Sequence, residues 1–411
     1  MRILIATPHF WPESMRINDV AAGLHAASAS LEVLTAQPNY PDGIVFDGYS
    51  AWRCGREIHD AIAINRIPIV PRGRSGAVRL ALNYCSFVLS GILFGPWLLR
   101  RRRFDIVFIY GTSPILSAIP AIFIARMRRI PVVLWVQDLW PESLVVTGFV
   151  RNRYLLAAVA VVVKCIYRSC DLILVQSDAF VDEVTAMAGG RPVRVHYNPG
   201  EVVAAADAIA APKLAGEFIV VFAGNLGSVQ ALDTIIDAVE LLRDHSDIRF
   251  ALVGSGSRSA WLAEQIETRG LVNCTLVGRL PAAAMPAIFA QADVLLVSLV
   301  PNPAMDKTVP SKVPTYMAAG KPIIAALNGE GARVVALAGA GPVARAGSAS
   351  DLAAAVLAVH AMSPEERAKL GAAARAFFAT TYSPDVLTPR LLAAFEDVIR
   401  RGNQMRRSSR S

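Results

Sequence analysis

The chain has 411 residues, too many for one ordinary hydrophobic core, so two domains are expected. Hydrophobic residues make up 54% of it and charged residues 18%, which excludes disorder as a general description. The net charge of +8 is uneven, with +7 on residues 1–199, −2 on 200–383 and +3 on 384–411; a basic, apolar first half points toward an anionic membrane surface and, lacking a recognised binding motif, away from nucleic acid.

The opening MRILIATPHF reads as a strand at 3–7. Its apolar run is too short for a signal peptide, and no small-residue cleavage site follows. The turn after it, HFWPES (9–14), contains Trp11 and Glu13 but no glycine, so it is no dinucleotide fingerprint and a nicotinamide-dependent oxidoreductase is disfavoured. A second strand is expected at 31–36. Residues 61–104 contain no acid. Within them Arg72, Arg74, Arg79 and Arg100–Arg103 bracket an apolar stretch with Phe87, Leu89, Ile92, Leu93, Phe94, Trp97 and Leu98. That pattern suits an interfacial helix, the plainer alternative being a core helix with a solvated basic end. No window offers about 18 uninterrupted apolar residues; the nearest, Leu80–Leu99, contains Asn83, Ser86, Ser90 and Pro96.

Strands follow at 105–110 and 131–137. The second runs into VQDLWPES (136–143), with Asp138 and Glu142 at the mouth of a sheet, where paired carboxylates serve acid–base or substrate-binding roles. The structural alternative has Asp138 capping the next helix, with Trp140 and Pro141 shaping the turn. The coincidence with Trp11-Pro12-Glu13 at another strand end favours function. Strands at 172–177 and 193–198 close the first half, and His9 and His196, at or near strand ends, read as structural. Asn198-Pro199-Gly200 and the Ala-rich 203–215 mark a linker between a domain at 1–199 and one at 200–383.

In the second half, strands are expected at 218–224, 249–256, 274–278, 294–299 and 322–327. Leu232, Ile235, Ile236, Val239 and Leu242 show helical spacing over 230–242. FAGNLGSVQ (222–230) is a strand, a glycine turn and a helix start: Gly224 and Gly227 let a ligand approach the backbone, and Gln230 offers a hydrogen bond. GSGSR, starting at Gly254, fails GxGxxG because position 259 is Ser. PSKVPTYMAAGKP (310–322) reads as a loop at Pro310, an N-cap at Ser311, a helix of about three turns and a stop at Gly320. Lys312 then stands at the positive end of a helix beside free N–H groups, a site for phosphate or diphosphate. Cys54, Cys85, Cys165, Cys170 and Cys274 form no CxxC and read as reduced thiols. No Asp-x-Asp, HExxH, P-loop or GxSxG occurs, so neither a metal nor a cofactor is indicated.

Short apolar strands alternating with helices make the fold class α/β, with doubly wound parallel sheets. Ligands in such sheets bind at the carboxyl ends of the strands, and two domains of nearly equal size would leave a cleft.

PSKVPTYMAAGKPIIAA, FAGNLGSVQALDTIIDA, VQDLWPES and HFWPES…PNYPDG together resemble the bacterial family 4 glycosyltransferases. The nearest branch builds O-antigen, capsule and colanic-acid repeat units and includes fucosaminyltransferase-like members. The resemblance implies a GT-B fold, two Rossmann-like domains facing across a cleft, with the nucleotide-sugar donor on the C-terminal one. It implies retention of anomeric configuration, no essential metal, and a final helix (here 385–401, within the basic tail 384–411) returning to the first domain. The chain departs from the wider family at several places. Asn225 and Gln230 stand where many members have an Arg and a Lys for the diphosphate, so Lys312 carries more of that task. Lys307 and Thr315 match a usual pair of glutamates, and Lys307 is a candidate to help neutralise the diphosphate. Gln137 replaces a common histidine.

What the resemblance implies is a retaining glycosyltransferase acting on a membrane-bound, polyprenyl-diphosphate-linked glycan in surface polysaccharide biosynthesis. Asp138, Glu142 and Lys312 are its candidate catalytic residues. The expected donor site comprises Gly224, Asn225, Gly227, Gln230, Gly254, Lys307, Pro310, Ser311, Lys312 and Thr315, and the acceptor side Trp11, Glu13 and Trp140. The expected location is cytoplasmic, peripheral to the inner face of the cell membrane. A nucleotide-sugar 2-epimerase of the same fold and a non-catalytic membrane scaffold are the alternatives.

Overall fold

The computed structural model describes residues 1–73, 76–146, 152–201 and 208–408. Arg74 and residues 203–207 of the expected linker lie outside them. The chain divides into two compact units, Met1–Tyr197 with Leu387–Ser411, and Asn198–Val386.

The first unit runs β1 (Arg2–Ala6), α1 (Arg16–Ala26), β2 (Ser30–Ala36), β3 (Gly55–His59), β4 (Ile62–Ile67), α2 (Ala77–Leu98), β5 (Ile106–Gly111), α3 (Ala118–Arg128), β6 (Val132–Val136), α4 (Glu142–Val146), α5 (Arg153–Arg168), β7 (Leu172–Val175), α6 (Val181–Ala188) and β8 (Val193–Val195). The sheet order is β3-β4-β2-β1-β5-β6-β7-β8. All neighbours are parallel except the β3–β4 hairpin. Alternate strand residues feed two cores. Leu4, Val107, Ile109 and Leu134 pack with residues of α2, α3, α5 and α6. Ile3, Ile5, Phe108 and Trp135 pack with Ile17 and Val20 of α1 and with Leu391, Phe395 and Val398 of the last helix. Two-faced burial of this kind is what a doubly wound parallel sheet requires.

Strands β3 and β4 are absent from the expected set. IAINRI is interrupted by Asn65 and Arg66, so it does not read as an apolar run. Arg66 is nevertheless only 1% exposed. Its guanidinium is satisfied by Glu57 (Nε to Oε1, 2.6 Å), by the Ala36 carbonyl (3.0 Å) and by the Trp11 carbonyl, which makes a buried charge tolerable. A second correction concerns α2. Val78–Leu98 has mean hydropathy 1.5 and is long and apolar enough to cross a membrane by length and composition; small polar residues interrupt an apolar run without lowering its mean much.

The second unit runs β9 (Phe218–Ala223), α7 (Leu232–Leu241), β10 (Ile248–Val253), α8 (Ser259–Thr268), β11 (Cys274–Gly278), α9 (Met285–Gln291), β12 (Val294–Ser298), α10 (Lys312–Ala319), β13 (Ile323–Ala326), α11 (Gly329–Leu337), β14 (Val343–Ala344), α12 (Ala349–His360) and α13 (Pro364–Thr381). Its order is β11-β10-β9-β12-β13-β14, wholly parallel. The final helix, α14 (Pro384–Ser408), belongs from Leu387 onward to the first unit. All five cysteines are free thiols.

Candidate functional site

In the second unit the carboxyl ends of β9 and β10 are shaped by two glycines, Gly224 (φ 132°) and Gly254 (φ 141°). They lie against each other: a Cβ on Gly254 would stand 1.8 Å from the Gly224 carbonyl oxygen. Substituting Gly254→Ala is therefore expected to destabilise this unit by more than about 1 kcal/mol, through both positive φ and backbone collision. An unchanged thermal midpoint would contradict that.

Lys312 is the first residue of α10 and reaches back to this turn. Its Nζ lies 3.6 Å from the Phe222 ring centroid and donates to Gln230 Oε1 at 2.5 Å. Gly224 is needed here too, since a Cβ there would come within 2.7 Å of Lys312 Cε. One turn on, the Tyr316 hydroxyl accepts from the Ala223 N–H (2.9 Å) and donates to the Ala223 carbonyl (3.1 Å). That pair pins α10 to the last residue of β9 and fixes where Lys312 emerges. Burial pulls the Lys312 pKa down to about 7. Its ammonium contacts a neutral amide and an aromatic ring rather than a carboxylate, so an arriving anion would restore the charged form.

Several donor-side expectations need correction. The helix has eight residues, about two turns rather than three, before Gly320 (φ 68°) ends it. Ser311 makes no side-chain cap and already has helical φ and ψ. Val313 N–H bonds the Pro310 carbonyl and Thr315 N–H that of Ser311, while Pro314 has none. The turn thus offers a lysine side chain more than a row of open N–H groups. Thr315 Oγ1 is taken by the Ser311 carbonyl (3.0 Å) and the Glu201 N–H (3.4 Å). Pro310 packs on Gly331. Lys307 sits on a separate 3-10 turn, Met305–Lys307. Gly227 has ordinary extended backbone (φ −106°), and the exposed Asn225 side chain folds over it. The structure thus gathers Gly224, Gly254, Gln230 and Lys312. Sequence reasoning missed Phe222 and Tyr316, although Tyr316 is four residues from Lys312 and so on the same helix face.

A cavity of about 510 Å³ lies elsewhere, at the amino ends of β12 and β13, beside Asp293, Lys321, Arg367 and Arg375. Its cations are already engaged: Lys321 Nζ with the Ala290 and Ala292 carbonyls, Arg367 with Asp293 and Arg375 with the Ala318 carbonyl.

In the first unit, Asp138 follows β6 and does not cap α4. Its Oδ2 accepts from the Ser113 N–H (2.9 Å) and hydroxyl (2.8 Å), and Trp140 Nε1 donates to the same hydroxyl (3.0 Å). Ser113 comes from the loop after β5, so two strand ends hold one half-buried carboxylate. Two tyrosines feel its charge. Burial raises Tyr110 to about 12, Arg16 opposing and Asp138 and Asp19 adding to it. Burial also raises Tyr84, Arg72 opposing and Asp138 adding to it. Glu142 is exposed at the start of α4.

Glu13 is a correction. It is 1% exposed, accepting from the N–H groups of Phe10 (3.2 Å), Asn39 (2.7 Å) and Tyr40 (2.7 Å) and bonding His9 Nδ1 (3.0 Å). A carboxylate so occupied binds two loops together and is not presented to a ligand. Trp11 stacks on His59 at 3.9 Å, and Trp140 is 5% exposed, so both tryptophans shape the loops. Among the described residues no group of three or more His, Cys, Asp or Glu could hold a metal ion.

Two family models match the chain, one described as a glycosyl transferase 4-like domain over residues 14–201, the other as glycosyl transferases group 1 over 217–361. The chain is 28% identical over 341 residues to WcaI of Escherichia coli K12, named as a colanic acid biosynthesis glycosyl transferase, covering 78% of this chain and 82% of that one. Among solved structures it is similar to sucrose-phosphate synthase of Thermosynechococcus elongatus (TM-score 0.71, 16% identity, 97% and 98% of the two chains). It is also similar to HepE of Anabaena, solved with UDP and glucose (TM-score 0.65, 16% identity, 97% and 100%). At these identities the solved structures speak to the fold, which is GT-B.

Proposed function

The chain belongs to the bacterial family 4 glycosyltransferases, and from that membership we propose that it moves a sugar, with retention, from a nucleoside-diphosphate sugar to a lipid-linked glycan in surface polysaccharide assembly. The observation that carries the donor half is Lys312: a desolvated cation, held by Gln230 and Phe222 beside the Gly224 and Gly254 turns at the carboxyl ends of β9 and β10. Charge grows on the diphosphate as the sugar–oxygen bond breaks. A fixed cation in a dry site stabilises that charge without reorganising. Asp138 receives the acceptor role. HepE, named with UDP and glucose, and WcaI, named for colanic acid, support the donor class and the pathway class respectively.

The test is the purified protein with a panel of UDP-, GDP- and dTDP-sugars and a lipid-linked acceptor extract. Acceptor-dependent sugar transfer from one donor is expected. Conversion of donor without acceptor would favour a 2-epimerase, and binding without consumption a scaffold. Donor binding carries its own pH signature. Because Lys312 loses its proton near pH 7 in the free protein, affinity should fall as pH rises above about 7, and binding should take up a proton. Calorimetry in buffers of different ionisation enthalpy measures that uptake, and it should vanish in Lys312→Met.

A further inference from the structure

The first unit has two unlike faces. On one, α1 and the part of α14 that belongs to this unit carry Asp19, Glu396 and Asp397 among their arginines. On the other, α2, α3 and α5 carry no acid, and the acids on that side, Asp182 and Glu183, belong to α6 next to α5. Between Ala61 and Gln137 the single acid is Asp105, which is tied to Arg2 (2.7 Å).

Helix α2 has two opposed stripes. Asn83, Phe87, Gly91 and Gly95 repeat every four residues and are buried. The glycines let α2 lie directly on α3, since a Cβ at either would meet Pro120 at 2.6 Å or Ile124 at 2.8 Å. Leu82, Cys85, Leu89, Leu93 and Trp97 run along the other side and are exposed, Leu89 by 61% and Leu93 by 68%. Phe123 and Met127 of α3, and Leu155 and Val161 of α5, are exposed too. A helix on a water-facing surface turns polar residues outward, and several apolar stripes on neighbouring helices mark an interaction surface. Its borders are cationic: Arg79 near the start of α2, Arg100–Arg103 after its end, Arg126 and Arg128 closing α3, Arg153 and Arg168 at the ends of α5. The Arg100 guanidinium lies 4.9 Å over the Trp97 ring.

We infer that this three-helix face docks on an anionic lipid bilayer, with α2 lying in the interface rather than crossing it. Charge complementarity selects the occupant. An apolar face bordered by arginines and free of acids fits anionic headgroups above acyl chains, whereas a second copy would set arginine against arginine. Crossing would require drawing Phe87 and Leu99 out of the core that they share with the sheet. The inference rests on the lipid-acceptor reading only for its purpose. Lipid binding is measured without turnover, so either can fail while the other stands.

The experiment is co-sedimentation of the full chain with phosphatidylglycerol-rich and with phosphatidylcholine vesicles. The protein should pellet with the anionic vesicles at low salt and be largely released near 1 M salt, where the Debye length is about 3 Å. Leu89→Glu with Leu93→Glu should lower partition on the order of tenfold or more. Arg101→Gln and Arg103→Gln should each lower it on the order of fivefold. All four side chains are exposed, so folding should survive, as circular dichroism and donor binding would verify. Brominated lipids should quench a fluorescence component that Trp97→Phe removes. The inference is overturned if the protein stays in the supernatant with anionic vesicles, or if the leucine pair changes nothing. Retention that resists salt and yields only to detergent, or a dimer abolished by Leu93→Glu, would overturn it too.

Discussion

Replacing Lys312 with methionine is expected to slow sugar transfer by a hundredfold to a thousandfold, about 2.7–4 kcal/mol of lost transition-state stabilisation. Methionine keeps the apolar stem that lies on Phe222 and removes only the cation. No Arg or Lys stands at the neighbouring positions to compensate, because Asn225 and Gln230 occupy them. The fold should not suffer. Burial holds the Lys312 pKa at about 7, below its ordinary 10.5, so between those values the unfolded chain binds the extra proton. Stability therefore rises with pH across that window, and the cost of burying the charge is fully present below about 7. Lys312→Met escapes that cost and should melt no lower than the parent at neutral pH. Turnover on the cognate donor and the thermal midpoint, measured together, decide the matter. A folded variant with near-normal turnover would remove Lys312 from the mechanism and make Lys307 the next candidate.

The apolar strands at 2–6, 106–111, 132–136 and 218–223 were legible because a buried parallel strand is apolar on both faces. The β3–β4 hairpin was not, because Arg66 is buried by partners from Glu57 and from the Ala36 and Trp11 carbonyls, which no local pattern displays. The same limit governs the site. Glycines at strand ends announce themselves, and Gly224 and Gly254 do meet there. Glu13 reads like an exposed acid in a turn, yet its partners at Asn39 and Tyr40 lie beyond both α1 and β2 in sequence. Ser311 has the chemistry of an N-cap, but its backbone is already helical, which leaves the hydroxyl unable to cap. Residue type gave the candidates; pairing across the fold decided which of them were occupied.

Asp138→Asn is expected to lower turnover by about a hundredfold or more, the scale of a lost general base, while leaving nucleotide affinity unchanged. The carboxylate is placed by Ser113, whose N–H and hydroxyl both reach Oδ2. An asparagine oxygen can accept those same two bonds, so the variant keeps the geometry and loses the charge. Trp140 holds Ser113 in turn, through Nε1 to the hydroxyl. Ser113→Ala should therefore give a smaller loss, since the charge stays and its N–H partner remains. Glu142→Gln should give the smallest, because that side chain is exposed at the start of α4. The measurements are single-turnover transfer and nucleotide binding by calorimetry for all three variants. Their order discriminates: a charge role ranks Asp138→Asn above Ser113→Ala, whereas a purely structural role reverses the two, because only the serine variant removes the hydroxyl that Asp138 and Trp140 share. A parallel fall in nucleotide affinity would instead move Asp138 to the donor and cancel its acceptor role.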